Sequence, residues 1–277
     1  MKQQFFIIGC GKMGSAMLTG WLAGKAGAHT DFIIIDPYFD PQSNLGQDDA
    51  VHCYKTLSDA IASAHKRADV MLLSVKPQMM AEALADCHNL DHDDCLFISI
   101  AAGLSLAKLT ELIAAKQTPS LIRTMPNTPA AIGKGMTAII GNDVASDDDL
   151  AMAEQLMGVC GQVVRLDTED QMDAVTALSG SGPAYVFLLA EAMMQAGISL
   201  GLSHEMAETL AEQTIYGAGA LLVDADEPAA ILRENVTSKG GTTAAALSVL
   251  MADDALAEMM KKAMKAAADR SVALGKS

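Results

Sequence analysis

Phe5-Phe-Ile-Ile-Gly-Cys-Gly-Lys-Met-Gly14 decides the fold of the N-terminal half. Four apolar residues of buried-strand type run straight into glycines spaced G-x-G-x-x-G, and the amphipathic stretch 13–23 follows. In that context each glycine has a task. Gly9 permits the tight turn, Gly11 lets the backbone approach a pyrophosphate, and Gly14 lets helix and strand pack closely. Cys10, Lys12 and Met13 complete a loop that presents phosphate to a helix N-terminus. The expected cofactor is NAD(P)H. Asp36 closes the next apolar run, about 20 residues past Gly14, where a carboxylate accepts from the adenosine ribose hydroxyls. It leans the expectation toward NADH. No Lys or Arg stands between Asp36 and Lys55 to clamp a 2′-phosphate, and Asp40, Asp48 and Asp49 add repulsion. The alternative is that Asp36 only starts an Asp-Pro turn with Pro37.

Outward from this motif, short apolar runs alternate with helical stretches as far as Leu166. The runs are Phe5–Ile8, Phe32–Ile35, Val70–Val75, Leu96–Ile100, Leu121–Thr124, Thr137–Ile140 and Val163–Leu166. Runs of this kind separated by helices signal parallel strands covered on both faces, a Rossmann-type doubly wound α/β sheet. After Asp167 long Ala/Leu/Met patterns take over. Pro183 suits a first helical turn with Ser181 as its cap, and Ser203 caps a helix reaching about Val223. Asp226-Glu-Pro228 and Asp253-Asp254 open two more helices, the last ending near Gly275. Two domains follow: a dinucleotide-binding domain over 1–166 and an all-helical domain over 167–277. Helix 183–199 is apolar nearly all round, which implies burial on most faces, within its own subunit or between two.

The chain has 277 residues, 51% of them hydrophobic, and a formal charge of -15. Such a charge argues against nucleic acid and anionic membranes as partners. An anionic ligand would meet local positive groups, of which Lys76, Arg123, Arg233 and Lys239 are candidates. The five scattered cysteines give no disulfide framework and point to a reducing, cytoplasmic setting. Cys87-His-Asn-Leu-Asp-His-Asp-Asp-Cys95 resembles a run of metal ligands, but it crowds one polar turn and reads better as a solvated turn. No metal is expected. Met1–Gly14 does not read as a secretory leader, and no segment has the apolar length of a membrane span.

Two stretches carry more than fold: Thr176-Ala-Leu-Ser-Gly-Ser-Gly-Pro-Ala-Tyr185 and Asn235-Val-Thr-Ser-Lys-Gly-Gly-Thr-Thr243. With Val75-Lys-Pro-Gln78 and Arg123-Thr-Met-Pro-Asn-Thr-Pro129, the chain resembles the pyrroline-5-carboxylate reductases over nearly its whole length. The resemblance implies reduction of 1-pyrroline-5-carboxylate to L-proline by NAD(P)H, the last step of proline biosynthesis. It also implies a homodimer built from interlocked helical domains, with decamers in many members. Lys76 with Pro77, Ala102 and Asn127 are implied near the cofactor. Asn235, Gly240, Gly241, Thr242 and Thr243 are implied as substrate ligands, and Glu169 and Ser179 as further pocket residues. Asp36 departs from the Ser or Asn-Arg of many NADPH-preferring relatives, so their cofactor choice does not transfer.

The chemistry of such a substrate asks for an anion cradle and a proton source. Gly240-Gly241-Thr242-Thr243, opening a helix over 242–252, offers free N–H groups, two hydroxyls and a positive dipole end. Without the resemblance, an ordinary Gly-Gly turn remains an alternative. Thr243 is the candidate partner of the ring nitrogen, delivering or relaying a proton, with water as the alternative source. A site completed across the dimer interface is expected. Two other functions remain open at this point: a related 3-hydroxyacid dehydrogenase or imine reductase, and a non-catalytic dinucleotide sensor. The first needs a catalytic lysine on a second-domain helix, for which Lys239 is the early candidate. The second has no use for Asn235–Thr243.

Overall fold

The computed structural model describes residues 2–24 and 29–275; Met1, first residue of the segment weighed as a leader, lies outside them. Contacts divide the chain into two compact units, 1–180 with 268–277, and 181–267. The first is the sheet unit. Its strands are β1 (Gln3–Ile8), β2 (Thr30–Ile35), β3 (Val51–Tyr54), β4 (Val70–Leu73), β5 (Leu96–Ser99), β6 (Ser120–Met125), β7 (Gly135–Gly141) and β8 (Gly161–Arg165). Between them lie α1 (Lys12–Ala23), α2 (Leu57–Ala62), α3 (Met80–Ala83), α4 (Leu106–Ile113) and α5 (Asp147–Gly158). A short α6 (Gln171–Val175) and a π-helical turn (Thr176–Gly180) complete the unit.

The strands order as β3-β2-β1-β4-β5-β6-β7-β8, so the chain reverses direction across the sheet between β1 and β4. Alternate residues of each strand face opposite sides. Phe5, Ile7, Phe32, Ile34 and Leu72 pack on one face with Trp21, while Phe6, Ile8, Ile33, Met71 and Leu73 pack on the other. Both faces are therefore dry, as a doubly wound sheet requires. Trp21 stacks on Phe32 at 5.9 Å and donates its indole N–H to the Leu156 carbonyl at 2.8 Å, fastening α1 to α5.

Three expectations need correction here. The sheet is not wholly parallel: β7 runs antiparallel to β6, because segment 126–134 is too short for the crossover that parallel pairing needs. β3 was not anticipated. It is an edge strand paired on one side only, and its Val-His-Cys-Tyr run lacks the apolar density of the inner strands. The turn 87–95 is not simply solvated either. Cys87, Leu90, His92 and Cys95 are buried, His92 donates to the Leu90 carbonyl at 2.7 Å, and burial pushes the Cys87 thiol up to about 11. Separately, contacts part the compact units after Gly180, because α6 and the π turn group with the sheet unit. There Asp173 accepts from Ser271, near the end of the last helix.

The helical unit holds α7 (Gly182–Ser199), α8 (His204–Asp224), α9 (Ala229–Asn235) and α10 (Thr242–Leu250), and most of α11 (Ala255–Gly275). Ser203 caps α8 through the Met206 N–H, as its position predicted. Ser181 does not cap α7. It is already in the right-handed helical region, continuing the preceding π turn, and its hydroxyl makes no cap bond. Of the two coverings left open for α7, burial within its own subunit is absent: Phe187 is 67% and Leu188 64% exposed. Among the described residues of this unit only Ala207 and Ala211 are buried.

Candidate active site

In a parallel sheet the loops after the strands gather at one edge, and the crevice opens where the strand order reverses. Here the loops following β1, β2, β4, β5 and β6 carry, in turn, Gly9–Gly14, Asp36, Lys76 with Pro77, Ala102, and Asn127. These are the sequence candidates for cofactor contact, and the fold brings them to a single edge. Gly9 sits at φ +88°, and a Cβ there would strike the Val75 side chain at 2.7 Å, so the β1 and β4 loops meet at van der Waals distance. A Cβ on Gly14 would lie 2.8 Å from the Gly9 carbonyl oxygen. Gly11, by contrast, faces open space. Gly9 and Gly14 thus permit close packing, Gly9 in a positive-φ turn, while Gly11 leaves clearance in front of the loop.

Asp36 is anchored rather than free. One carboxylate oxygen accepts from the Cys10 N–H at 2.7 Å and the other from the Tyr38 N–H at 2.8 Å, which ties the β2 end to the glycine loop. Each oxygen keeps a lone pair for a ribose hydroxyl. The bond from Tyr38 also makes Asp36 the residue that starts the Asp-Pro turn. The Cys10 thiol is buried, which pushes it up to about 11, with a weak bond to Ser15 opposing the rise. The high value keeps it a neutral thiol, and the Cys10 N–H is the group that reaches Asp36.

Asn127 joins two parts of the sheet unit. Its side-chain oxygen accepts from the Met136 N–H at 2.9 Å, and its amide donates to the Ser179 carbonyl at 3.0 Å. The Ser179 hydroxyl, in the π turn, donates to the carbonyl of Val175 at the end of α6. Glu169 also has defined partners: one oxygen accepts from buried Arg123 at 2.7 Å and from the Leu106 N–H at 2.8 Å. Arg123 is thereby spoken for as an ion pair and is not an open anion site. Arg233 likewise lies 3.6 Å from Glu234. Lys55, which in the sequence only limited a cation-free stretch, leaves β3 next to Asp36, because Ile35 and Tyr54 are register partners. Only the pairing of β2 with β3 reveals that neighbour.

Within the helical unit, Asn235 ends α9 and its amide donates to Glu227 at 3.0 Å. Gly240 has φ +74°, a conformation glycine adopts without strain, and the chain then enters α10 through Gly241. No side chain caps α10, so its first-turn N–H groups, with exposed Thr242 and Thr243, point outward. Lys239 lies in the turn before α10 and not in a helix, which removes the position a hydroxyacid dehydrogenase would need.

Comparison with known proteins supplies what geometry within each unit does not. Residues 169–274 match the family model described as pyrroline-5-carboxylate reductase dimerisation, and residues 4–103 match NADP oxidoreductase coenzyme F420-dependent. A pyrroline-5-carboxylate reductase of Haemophilus influenzae is 40% identical over 266 residues, covering 95% of this chain and 94% of the relative. One from Arabidopsis thaliana is 36% identical over 85% of this chain and 84% of its own. The structure of a pyrroline-5-carboxylate reductase from Coxiella burnetii superposes with a TM-score of 0.88 at 32% identity, covering 100% of this chain and 99% of that one. A Plasmodium falciparum pyrroline carboxylate reductase with NADP bound gives 0.77 at 28% identity, covering 99% and 98%. With such relatives aligned along nearly their whole length, the chain belongs to the pyrroline-5-carboxylate reductase family.

Proposed function

We propose that this protein reduces 1-pyrroline-5-carboxylate to L-proline, taking hydride from NAD(P)H, as a cytoplasmic homodimer that assembles further into decamers. The reduced nicotinamide supplies a hydrogen with its electron pair to the imine carbon, and a proton completes the ring nitrogen. What the chain must do is bind, orient and protonate. Gly9–Gly14 hold the pyrophosphate, Asp36 the adenosine ribose, and Lys76, Pro77, Ala102 and Asn127 the nicotinamide half. The substrate carboxylate rests on the α10 N-terminus with Gly240, Gly241, Thr242 and Asn235. Thr243 bonds the ring nitrogen and passes the proton. Glu169 and Ser179, already tied into Arg123, Leu106 and the π turn, shape the pocket wall.

The observation that carries this reading is the turn 238–243 opening onto α10. Its uncapped N–H groups and two hydroxyls suit a small carboxylate, and a bare dinucleotide sensor would have no use for them. Positioning of the reacting atoms supplies most of the acceleration, since a Thr hydroxyl is a weak acid. Asp36 makes NADH at least comparable to NADPH. The test is direct: mix the protein with 1-pyrroline-5-carboxylate and follow reduced-cofactor absorbance with NADH and NADPH in parallel. Substrate-dependent oxidation of both, with kcat/KM values within about tenfold (~1.4 kcal/mol), is expected. No oxidation of either cofactor would sink the proposed reaction.

A further inference from the structure

The end of β3 places a cation, Lys55, beside Asp36. In the parallel β2–β3 pair Ile35 sits opposite Tyr54, and the Asp36 N–H donates to the Tyr54 carbonyl at 3.0 Å. The next residue of each strand, Asp36 and Lys55, therefore leaves the sheet beside the other at its C-terminal edge. A cleft of about 240 Å3 opens there. Ile8, Ile35, Pro37, Val75 and Met79 give it apolar walls of the kind a flat base prefers, and Lys55 stands among its lining residues. The other charged groups of the lining are Glu82 and Asp86, and Asp86 accepts from the Ser58 hydroxyl at 2.6 Å. Among the described residues, no carboxylate lies within ion-pair distance of the Lys55 ammonium.

We propose that Lys55 is the residue that receives the 2′-phosphate of an NADP-type cofactor, so that one cleft accepts both dinucleotides: Asp36 serves the ribose hydroxyls of NADH, and Lys55 offsets Asp36 when the phosphate is present. The inference rests on the cofactor site proposed above. Two observations make the balance workable. The Asp36 carboxylate is already committed to the Cys10 and Tyr38 N–H groups, which disperse its charge and fix its direction. The cations following Lys55 in sequence, Lys66 and Arg67, precede β4 at the opposite edge of the sheet, and Arg67 is paired with Asp69 at 3.1 Å. Lys55 is the cation of this edge that neighbours the ribose carboxylate.

The test uses ligands that cannot react, ADP-ribose and 2′-phospho-ADP-ribose, titrated calorimetrically into the full-length protein at low salt. Wild type is expected to bind both. In Lys55→Met the affinity ratio of the phosphorylated to the unphosphorylated ligand should fall about tenfold, and in Lys55→Arg it should return to within twofold of wild type. Because Lys55 is exposed, unfolding curves of both variants will show whether the fold is retained. An unchanged ratio in Lys55→Met overturns the proposal, as does a wild type that binds ADP-ribose but not its 2′-phosphate. A wild type that binds neither ligand overturns the cofactor site itself, a result distinguishable from the failure of Lys55 alone.

Discussion

In the sheet unit Phe6, Ile7, Trp21 and Phe97 have no exposed surface, whereas in the helical unit Phe187, Leu188 and Leu189 are all more than half exposed. Both segments are rich in apolar residues, so hydrophobicity alone does not separate them. The difference lies in what each architecture can cover. A strand presents alternate residues to two faces, and helices returning over each face bury both sets within one chain. A helix apolar all round needs neighbours on every side, and a unit of 181–267 has too few of its own. The homodimer proposed above would cover such surfaces, and residues 169–274 match a family model described as pyrroline-5-carboxylate reductase dimerisation.

The largest expected effect tests that contrast directly. In Leu189→Asp the new carboxylate stays in water within a single subunit but becomes desolvated when copies pair. Each copy costs ~3–5 kcal/mol, and a two-fold interface carries the change twice. Gel filtration with light scattering should show folded, dissociated subunits without activity. A folded monomer with full turnover would break the link between assembly and catalysis. Trp21→Ala should behave in the opposite way. Losing the stack on Phe32 and the bond to Leu156 from a closed core costs ~3–5 kcal/mol, read as a lower urea midpoint, while oligomer size stays unchanged. A shift in oligomer size would show that the sheet unit is not self-sufficient.

The same contrast explains what could be read from the chain. β1, the glycine loop and α1 were legible because their signal is contiguous, from Phe5 to Ala23. Ser203 was legible as a cap because a non-helical turn, 200–202, separates it from α7 and leaves it extended at the start of α8. Ser181 was not, since the π turn of 176–180 carries helical backbone through it. β3 and the reversed β7 depend on which strand lies alongside and on loop length, and neither is written in local periodicity. Helix α7 showed that it must be covered but not by what. Lys55 stayed hidden for a related reason: it meets Asp36 only through strand pairing. For the proposed substrate motif the signal was the family resemblance of residues 235–243, and the structure adds the uncapped first turn of α10.

Catalysis offers a finer division between the units. Thr243→Ala, in the helical unit, should lower kcat/KM for the imine about 10- to 100-fold, the worth of one hydrogen bond to a charged group (~1.4–2.7 kcal/mol), and leave cofactor affinity alone. Unchanged kinetics in a folded variant would remove Thr243 from the mechanism. Asp36→Ser, in the sheet unit, should shift the NADPH-to-NADH ratio of kcat/KM about tenfold toward NADPH, with little effect on the KM for the imine. If the imine KM moved as much as the ratio, Asp36 would be acting through the glycine loop it anchors and not through the ribose.

The smallest effect compares two helix caps, one in each unit. Ser146 caps α5 and Ser203 caps α8, and replacing either by Ala should cost ~1 kcal/mol at neutral pH. Only the first is tied to a titrating group. Burial by itself would raise the Asp149 pKa, but the Ser146 N–H and hydroxyl and the Ser120 hydroxyl all donate to its carboxylate and hold it below the usual value. A carboxyl depressed on folding adds stability that is present above its unfolded pKa, ~3.9, and is lost as pH falls through the folded value. At Ser203 the third residue on is Met206, which returns no charge. The Ser146→Ala penalty should therefore shrink as pH drops below ~4 while the Ser203→Ala penalty stays level. Urea midpoints of both variants against wild type, from pH 7 downward, provide the measurement. A Ser146→Ala penalty that does not vary with pH would mean that the Asp149 carboxylate keeps its low pKa without the Ser146 hydroxyl, held by the Ser146 N–H and Ser120 alone.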